Sequence, residues 1–123
     1  MLKRISLVCV VAILMGTAAI ADRDDDRYGA IAYSRHTGHY GVSDRAESRE
    51  RAERRALDKC EGRDCKIEVW FRNSCGALAT GEDGDIVGWA HDNHLDDAKE
   101  HAVRNCRNNG GHRCRVIISA CAR

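Results

Sequence analysis

The chain has no proline, and only 5% of its 123 residues are aromatic. Large apolar side chains are therefore scarce, and the core must rest on alanine, valine, isoleucine and cysteine. Each buried methylene contributes roughly 0.8 kcal/mol, so a small domain built this way needs covalent help. The length excludes a multi-domain enzyme. A net charge of +1 leaves out the large positive excess of a dedicated nucleic-acid or anionic-membrane binder. No C-x-x-C redox pair, no G-x-S-x-G elbow around Ser34, Ser43 or Ser74, and no cofactor motif is present.

One long apolar run exists, and it reads as an address. Lys3 and Arg4 precede the run from Ile5 to Met15, and Ala19-Ile20-Ala21 follows before the acidic stretch opens at Asp22. A positive start, an apolar middle and an A-x-A end make a secretory signal peptide over residues 1–21. The stretch is partly Gly, Thr and Ala, so it spans a membrane poorly, and no stable span is expected after cleavage. Cys9 lies inside the apolar run, too near the start for a lipoprotein box. Residues 22–27, four aspartates and two arginines, are expected to be disordered. Localisation is then periplasmic or secreted.

Cleavage leaves 123 − 21 = 102 residues, with 20 − 2 = 18 Lys+Arg against 19 Asp+Glu. Cysteines fall from seven to six, which in an exported chain implies three disulfides.

The rest of the chain is an internal repeat. Gly29-Ala30-Ile31-Ala32 returns as Gly76-Ala77-Leu78-Ala79, and a second glycine follows twelve residues later in each unit, Gly41 and Gly88. Ala52, Ala56 and Cys60 are matched by Ala98, Ala102 and Cys106, and each unit closes with a cysteine 15 residues on, Cys75 and Cys121. Each unit, 29–75 and 76–121, reads as strand, strand, helix, strand within one domain over 28–123. The class is α+β, with six strands and two helices in one compact disulfide-linked domain.

The strands are expected at Ala30–Ser34, Tyr40–Ser43, Lys66–Arg72, Ala77–Thr80, Ile86–Ala90 and Arg115–Ser119. Ile67, Val69 and Phe71 should share one face, as should Val116 and Ile118. Arg35–Gly38 and Glu82–Asp85 read as hairpin turns. Ala52, Ala56, Leu57 and Cys60 form one helical stripe opposite an Arg/Glu face. Asp44 with Glu47, and Asn93 with Asp96, suit capping boxes. Whether the strands make one sheet, two sheets or a barrel stays open.

Six cysteines allow fifteen pairings. Cys65 and Cys75 bracket a strand and lie about 30 Å apart, beyond the roughly 7 Å that a bridge tolerates. Cys60–Cys65 and Cys106–Cys114 are the short-range candidates, each tying a helix end to the next strand. That leaves Cys75–Cys121.

Tyr28-Gly29-Ala30-Ile31-Ala32-Tyr33-Ser34, Tyr40-Gly41, Ala56-Leu57-Asp58-Lys59-Cys60, Asn73-Ser74-Cys75-Gly76-Ala77-Leu78-Ala79 and Gly88-Trp89-Ala90 together resemble the DUF4189 family. The resemblance runs from Tyr28 to Cys121. It implies a small exported bacterial protein with paired cysteines, and supplies no catalytic residue.

Candidate chemistry is sparse. His91-Asp92-Asn93-His94, with Asp96 and Asp97 nearby, is the best local cluster for a metal, against an ordinary surface reading. Glu82-Asp83-Gly84-Asp85 lacks the length and ligand spacing of a calcium loop. No cofactor and no catalytic residue is assigned. Trp70, Trp89 and Tyr40 are the residues suited to anchoring a partner. The sequence favours an exported binding protein, an effector, inhibitor or envelope-stress factor, whose partner is a protein or a cell-envelope component rather than nucleic acid. The alternative is a small periplasmic or secreted hydrolase using His and acidic residues. Oligomeric state is not set by any of these features.

Overall fold

The computed structural model describes residues 11–12 and 25–123. The expected signal peptide over 1–21, apart from Val11 and Ala12, and residues 22–24 lie outside the described residues. Among the described residues, no helix is long and apolar enough to cross a membrane.

The order is β1 (Tyr28–Tyr33), β2 (Tyr40–Ala46), α1 (Arg49–Cys60), β3 (Lys66–Arg72), β4 (Cys75–Thr80), β5 (Val87–Asp92), α2 (Leu95–Asn108) and β6 (Arg115–Cys121). In each half the first strand is central. β1 pairs antiparallel with both β2 and β3, and β4 with both β5 and β6, giving two separate three-stranded sheets. The outer strands of a sheet are thus parallel to each other, and the helix makes the crossover between them.

The two sheets face each other over Ile31, Tyr33, Val69, Phe71, Leu78 and Val87. The alternate residues Ala30 and Ala32 point outward onto Ala52 and Ala56 of α1, and Ala77 and Ala79 onto Ala98 and Ala102 of α2. The result is four layers, helix–sheet–sheet–helix. Alanine on both sides lets each helix lie close to its sheet, and the repeated glycines close the gap. A Cβ on Gly41 would sit 2.1 Å from the Ala56 carbonyl oxygen, and one on Gly88 2.1 Å from the Cys106 amide nitrogen. Backbone-to-backbone approach explains why both units carry glycine there.

Several sequence expectations are corrected. Leu57 is 38% exposed and lies off the buried stripe of Ala52, Ala56 and Cys60. Neither capping box forms. β2 runs on to Ala46, which holds Asp44 in the strand, and Ser48 caps α1 by accepting from the Arg51 amide. His94, not Asn93, is the N-cap of α2, and its side chain makes no capping bond.

Ile67 does not share a face with Val69 and Phe71. The β1–β3 register shifts between Ile31 and Ala32, and this bulge turns Ile67 toward α1. The same shift between Leu78 and Ala79 turns Val116 toward α2 while Ile118 stays between the sheets. Period-two reading fails wherever a residue is inserted.

The disorder expected over 22–27 does not extend to its last two residues. Asp26 accepts from Arg72 at 2.6 Å and from the Asn73 side chain at 2.9 Å. The Arg27 amide donates to the Asn73 side chain, and the Asn73 amide to the Arg27 carbonyl. The β3–β4 turn supplies the polar anchor that stands in for an apolar one.

The bridges are Cys60–Cys65, Cys106–Cys114 and Cys75–Cys121. The first two tie each helix end to the following strand. The third joins residues that face each other directly in the β4–β6 register. Cys75 therefore opens the second unit rather than closing the first, and its counterpart is Tyr28. Arg72, the counterpart of Cys121, lies over the Tyr28 ring at 5.8 Å. One unit closes its sheet with a disulfide and the other with a cation–π contact.

Candidate functional site

Trp70 and Trp89 come from different repeats, and the fold brings them together. β3 is the edge of one sheet and β5 the edge of the other. Face-to-face packing sets these edges side by side, and a groove of about 370 Å³ opens between them, lined by Trp70, Trp89, His91, Arg49, Glu53 and consecutive β3 residues Ile67 to Trp70. Both indoles are solvent-exposed, at 36% and 45%.

The charges in the groove are internally matched. The Arg49 guanidinium lies 4.4 Å over the Trp70 ring and donates to Glu53 at 3.0 Å. Glu68 receives Arg35 from across the strand at 3.4 Å. What the groove offers is two aromatic faces and an open strand edge.

The two edges differ. α2 covers β5, because the Trp89 amide donates to the Asn105 side chain at 2.9 Å and the Asn109 side chain donates to the Val87 carbonyl at 2.8 Å. No strand pairs with the outer edge of β3 among the described residues.

Tyr40 lies elsewhere, 44% exposed in a second cleft of about 500 Å³. That cleft is lined by Tyr33, Tyr40, the Gly81–Gly84 turn, Arg113 and Arg115. The Tyr33 hydroxyl donates to the Gly84 carbonyl at 2.7 Å, and burial pushes its phenol above the ordinary tyrosine range. Arg113 pairs with Glu82 at 3.6 Å. Tyr40 therefore belongs to a different surface from the two tryptophans.

The paired histidines also separate. His91 points into the tryptophan groove, while His94, at the start of α2, meets Asp92 and Asp97. Donor atoms of these three lie within 4.8 Å of one another. The His94 Nδ1 is 3.8 Å from Asp92 and 3.7 Å from Asp97, and His101 Nδ1 approaches the other Asp92 oxygen at 3.8 Å. The His94 backbone amide donates to Asp92 at 3.1 Å and holds its carboxyl below the ordinary aspartate range, helped by His101 and His94. Asp96 is outside this group.

The family described as "Domain of unknown function (DUF4189)" matches residues 28–121. The chain belongs to the DUF4189 family. Its fold is similar to that in the NMR structure of Rv1813c from Mycobacterium tuberculosis, at 27% identity and a TM-score of 0.57, covering 97% of this chain and 96% of that one. No curated protein matches the chain. Both halves of the tryptophan groove lie inside the DUF4189 match, so the groove is a feature of this domain and not of an appended segment.

Residues that sequence reading missed are Arg49 and Glu53 in the groove, and His101 beside Asp92. For the second a signal existed: His94, Asp97 and His101 fall at i, i+3 and i+7, one face of a helix. For the groove none did, because it depends on how two sheets stack.

Proposed function

We propose that this is an exported, disulfide-stabilised binding protein that receives an extended peptide segment of a partner protein along the edge of β3. The single observation carrying this reading is that Trp70 and Trp89 line one groove beside the unpaired β3 edge. An added strand would satisfy the backbone groups of that edge, and every second side chain of the peptide would face the indoles. The matched charges favour an apolar or aromatic anchor over an ionic one. Export rests on the sequence signals at Lys3–Ala21 and on three disulfides in the domain.

The compartment is checked by mass spectrometry on protein recovered from outside the cytoplasm, which should begin at Asp22; an intact Met1 there would refute the signal-peptide reading. The groove is checked by selecting random linear peptides against the oxidised domain. Enriched sequences should alternate apolar or aromatic residues. Trp70→Ala and Trp89→Ala should each weaken the selected peptide by about 30-fold, the scale of a loss of about 2 kcal/mol at a hot spot, with circular dichroism unchanged. Selected peptides that bind the double variant as tightly as the parent would place recognition elsewhere.

A further inference from the structure

We infer that the cleft beside Tyr40 is a second binding site, separate from the tryptophan groove, and that it takes a neutral, hydroxyl-rich ligand: a short stretch of glycan. At about 500 Å³ the cleft falls within the roughly 300–1,000 Å³ of small-ligand sites. It opens where both hairpin turns meet the loop between α2 and β6. Gly38 lies in the β1–β2 turn, Gly81 to Gly84 in the β4–β5 turn, and Arg113 just ahead of β6.

The walls are fixed without a ligand. The Tyr33 hydroxyl, from β1, donates to the Gly84 carbonyl at 2.7 Å and fastens the central strand of one sheet to the turn of the other. The Glu82 amide donates to the His112 carbonyl at 2.8 Å, and the Glu82 carboxylate pairs with Arg113 at 3.6 Å. Turn and loop thus hold each other. A ligand meets a shaped cavity and forfeits little in ordering it.

Thr80 is the observation that points to a ligand. It follows Leu78 at a two-residue spacing along β4, so it faces between the sheets. It lines the cleft while only 5% exposed. Ser34 and Ser43, buried to the same degree, donate to Asp64 and to the Ala52 carbonyl. The Thr80 hydroxyl has no hydrogen-bond partner among the described residues. A buried hydroxyl is ordinarily satisfied by protein, water or ligand, and the open space beside this one is the cleft.

Charge and shape select the class. Among the residues lining the cleft, Arg113 is matched by Glu82, while Arg115 and Asp83 make no ion pair among the described residues. The positive and negative groups cancel, which disfavours a phosphate or a polycation. Guanidinium donors and carboxylate acceptors are left to share with neutral hydroxyls. Tyr40 adds an exposed ring, a flat apolar surface onto which the C–H face of a pyranose packs. A sugar ring is apolar on its faces and polar around its edge, and the lining matches both.

The test is a chemical-shift titration of the ¹⁵N-labelled, oxidised protein with maltotriose, cellotriose and chitotriose, and with inorganic phosphate and trilysine as charged probes. At least one trisaccharide at about 10 mM should saturate shifts of the Thr80, Gly84 and Arg115 amides, as a Kd of about 1 mM or below requires. Phosphate and trilysine should leave these amides in place. Tyr40→Ala and Thr80→Val should each weaken that trisaccharide at least about fivefold, the scale of one lost contact. Arg54→Ala, on the exposed face of α1, should leave its affinity unchanged. Thr80→Val removes an unpaired hydroxyl and keeps the branched shape, so its urea midpoint should equal or exceed the parental one. A lower midpoint would show the hydroxyl satisfied within the fold and overturn the proposal. So would silence with all three trisaccharides, shifts confined to phosphate or trilysine, or an affinity indifferent to both cleft variants.

Discussion

Reducing the three disulfides should unfold the domain at ambient temperature, with loss of near-ultraviolet circular dichroism and of the cooperative urea transition. The core explains why. Its buried members are mostly alanine and cysteine, with Phe71, Ile31 and Leu78 as the largest fully buried apolar side chains. A domain of this size ordinarily keeps only about 5–15 kcal/mol of net stability. Loop closure makes the bridges a large share of that sum. The separations are 5, 8 and 46 residues, which correspond to about 2–3 kcal/mol for each short loop and about 4 kcal/mol for the long one.

The order of effects is therefore predicted as well. Cys75→Ala with Cys121→Ala should destabilise most, by about 4 kcal/mol, although this bridge only joins neighbouring strands. Either short pair replaced by alanine should cost about 2–3 kcal/mol. Urea unfolding of the three double variants checks the ranking. A reduced protein with the parental midpoint would mean that the two sheets hold each other without covalent help.

The sequence showed those parts of the fold that repeat with a fixed period. Ala52, Ala56, Ala98 and Ala102 sit on a helical stripe and are fully buried against the sheets, because a four-residue spacing keeps them on one face. Gly41 and Gly88 are repeated landmarks in the sequence, and their reason is contact with the helix backbone, which no local pattern encodes. The failures have local causes. A bulge exchanges inside and outside without changing composition, so strict alternation puts Ile67 and Val116 on the wrong layer. Asp44 looked like a cap because Asp and Glu stood at capping spacing, but the pairing of Ala46 with Tyr28 extends β2 past it. Its position 15 residues after Cys60, like that of Cys121 after Cys106, marks Cys75 in the sequence as the end of a unit. The units differ in loop length between helix and last strand, and that difference shifts the true register.

The candidate sites were legible only as residue types. Trp70, Trp89 and Tyr40 are all suited by residue type to contact a partner, and stacking of the sheets places two of them in one groove and the third in another cleft. His91 and His94 stand together in the sequence, yet His91, on β5, lines the groove while His94 caps the start of the next helix. Neighbours in sequence ended on different surfaces, and distant residues met.

Phe71→Ala should be among the most damaging single substitutions, costing about 3–5 kcal/mol. This is the only phenylalanine in the chain, and it is 1% exposed. Its ring fills the space above two glycines of the central strands. A Cβ built on Gly29 of β1 would lie 2.3 Å from the ring, and one on Gly76 of β4 would also lie 2.3 Å from it. The ring thus joins both sheets across the middle of the core, and the glycines are the sockets that admit it. The same geometry predicts a reversal of sign. Gly76→Ala should destabilise the parent, because a methyl group there overlaps the ring and the core has no spare volume. In the Phe71→Ala background, Gly76→Ala should be neutral or stabilising, since it refills part of the cavity and removes the cost of glycine in a strand. Urea midpoints of the parent, two single variants and the double variant close the cycle, and coupling of at least about 1 kcal/mol is expected for residues in contact. Additive losses would show that Phe71 and Gly76 do not pack as described, and with them would go the account of why glycine is the second residue of both central strands.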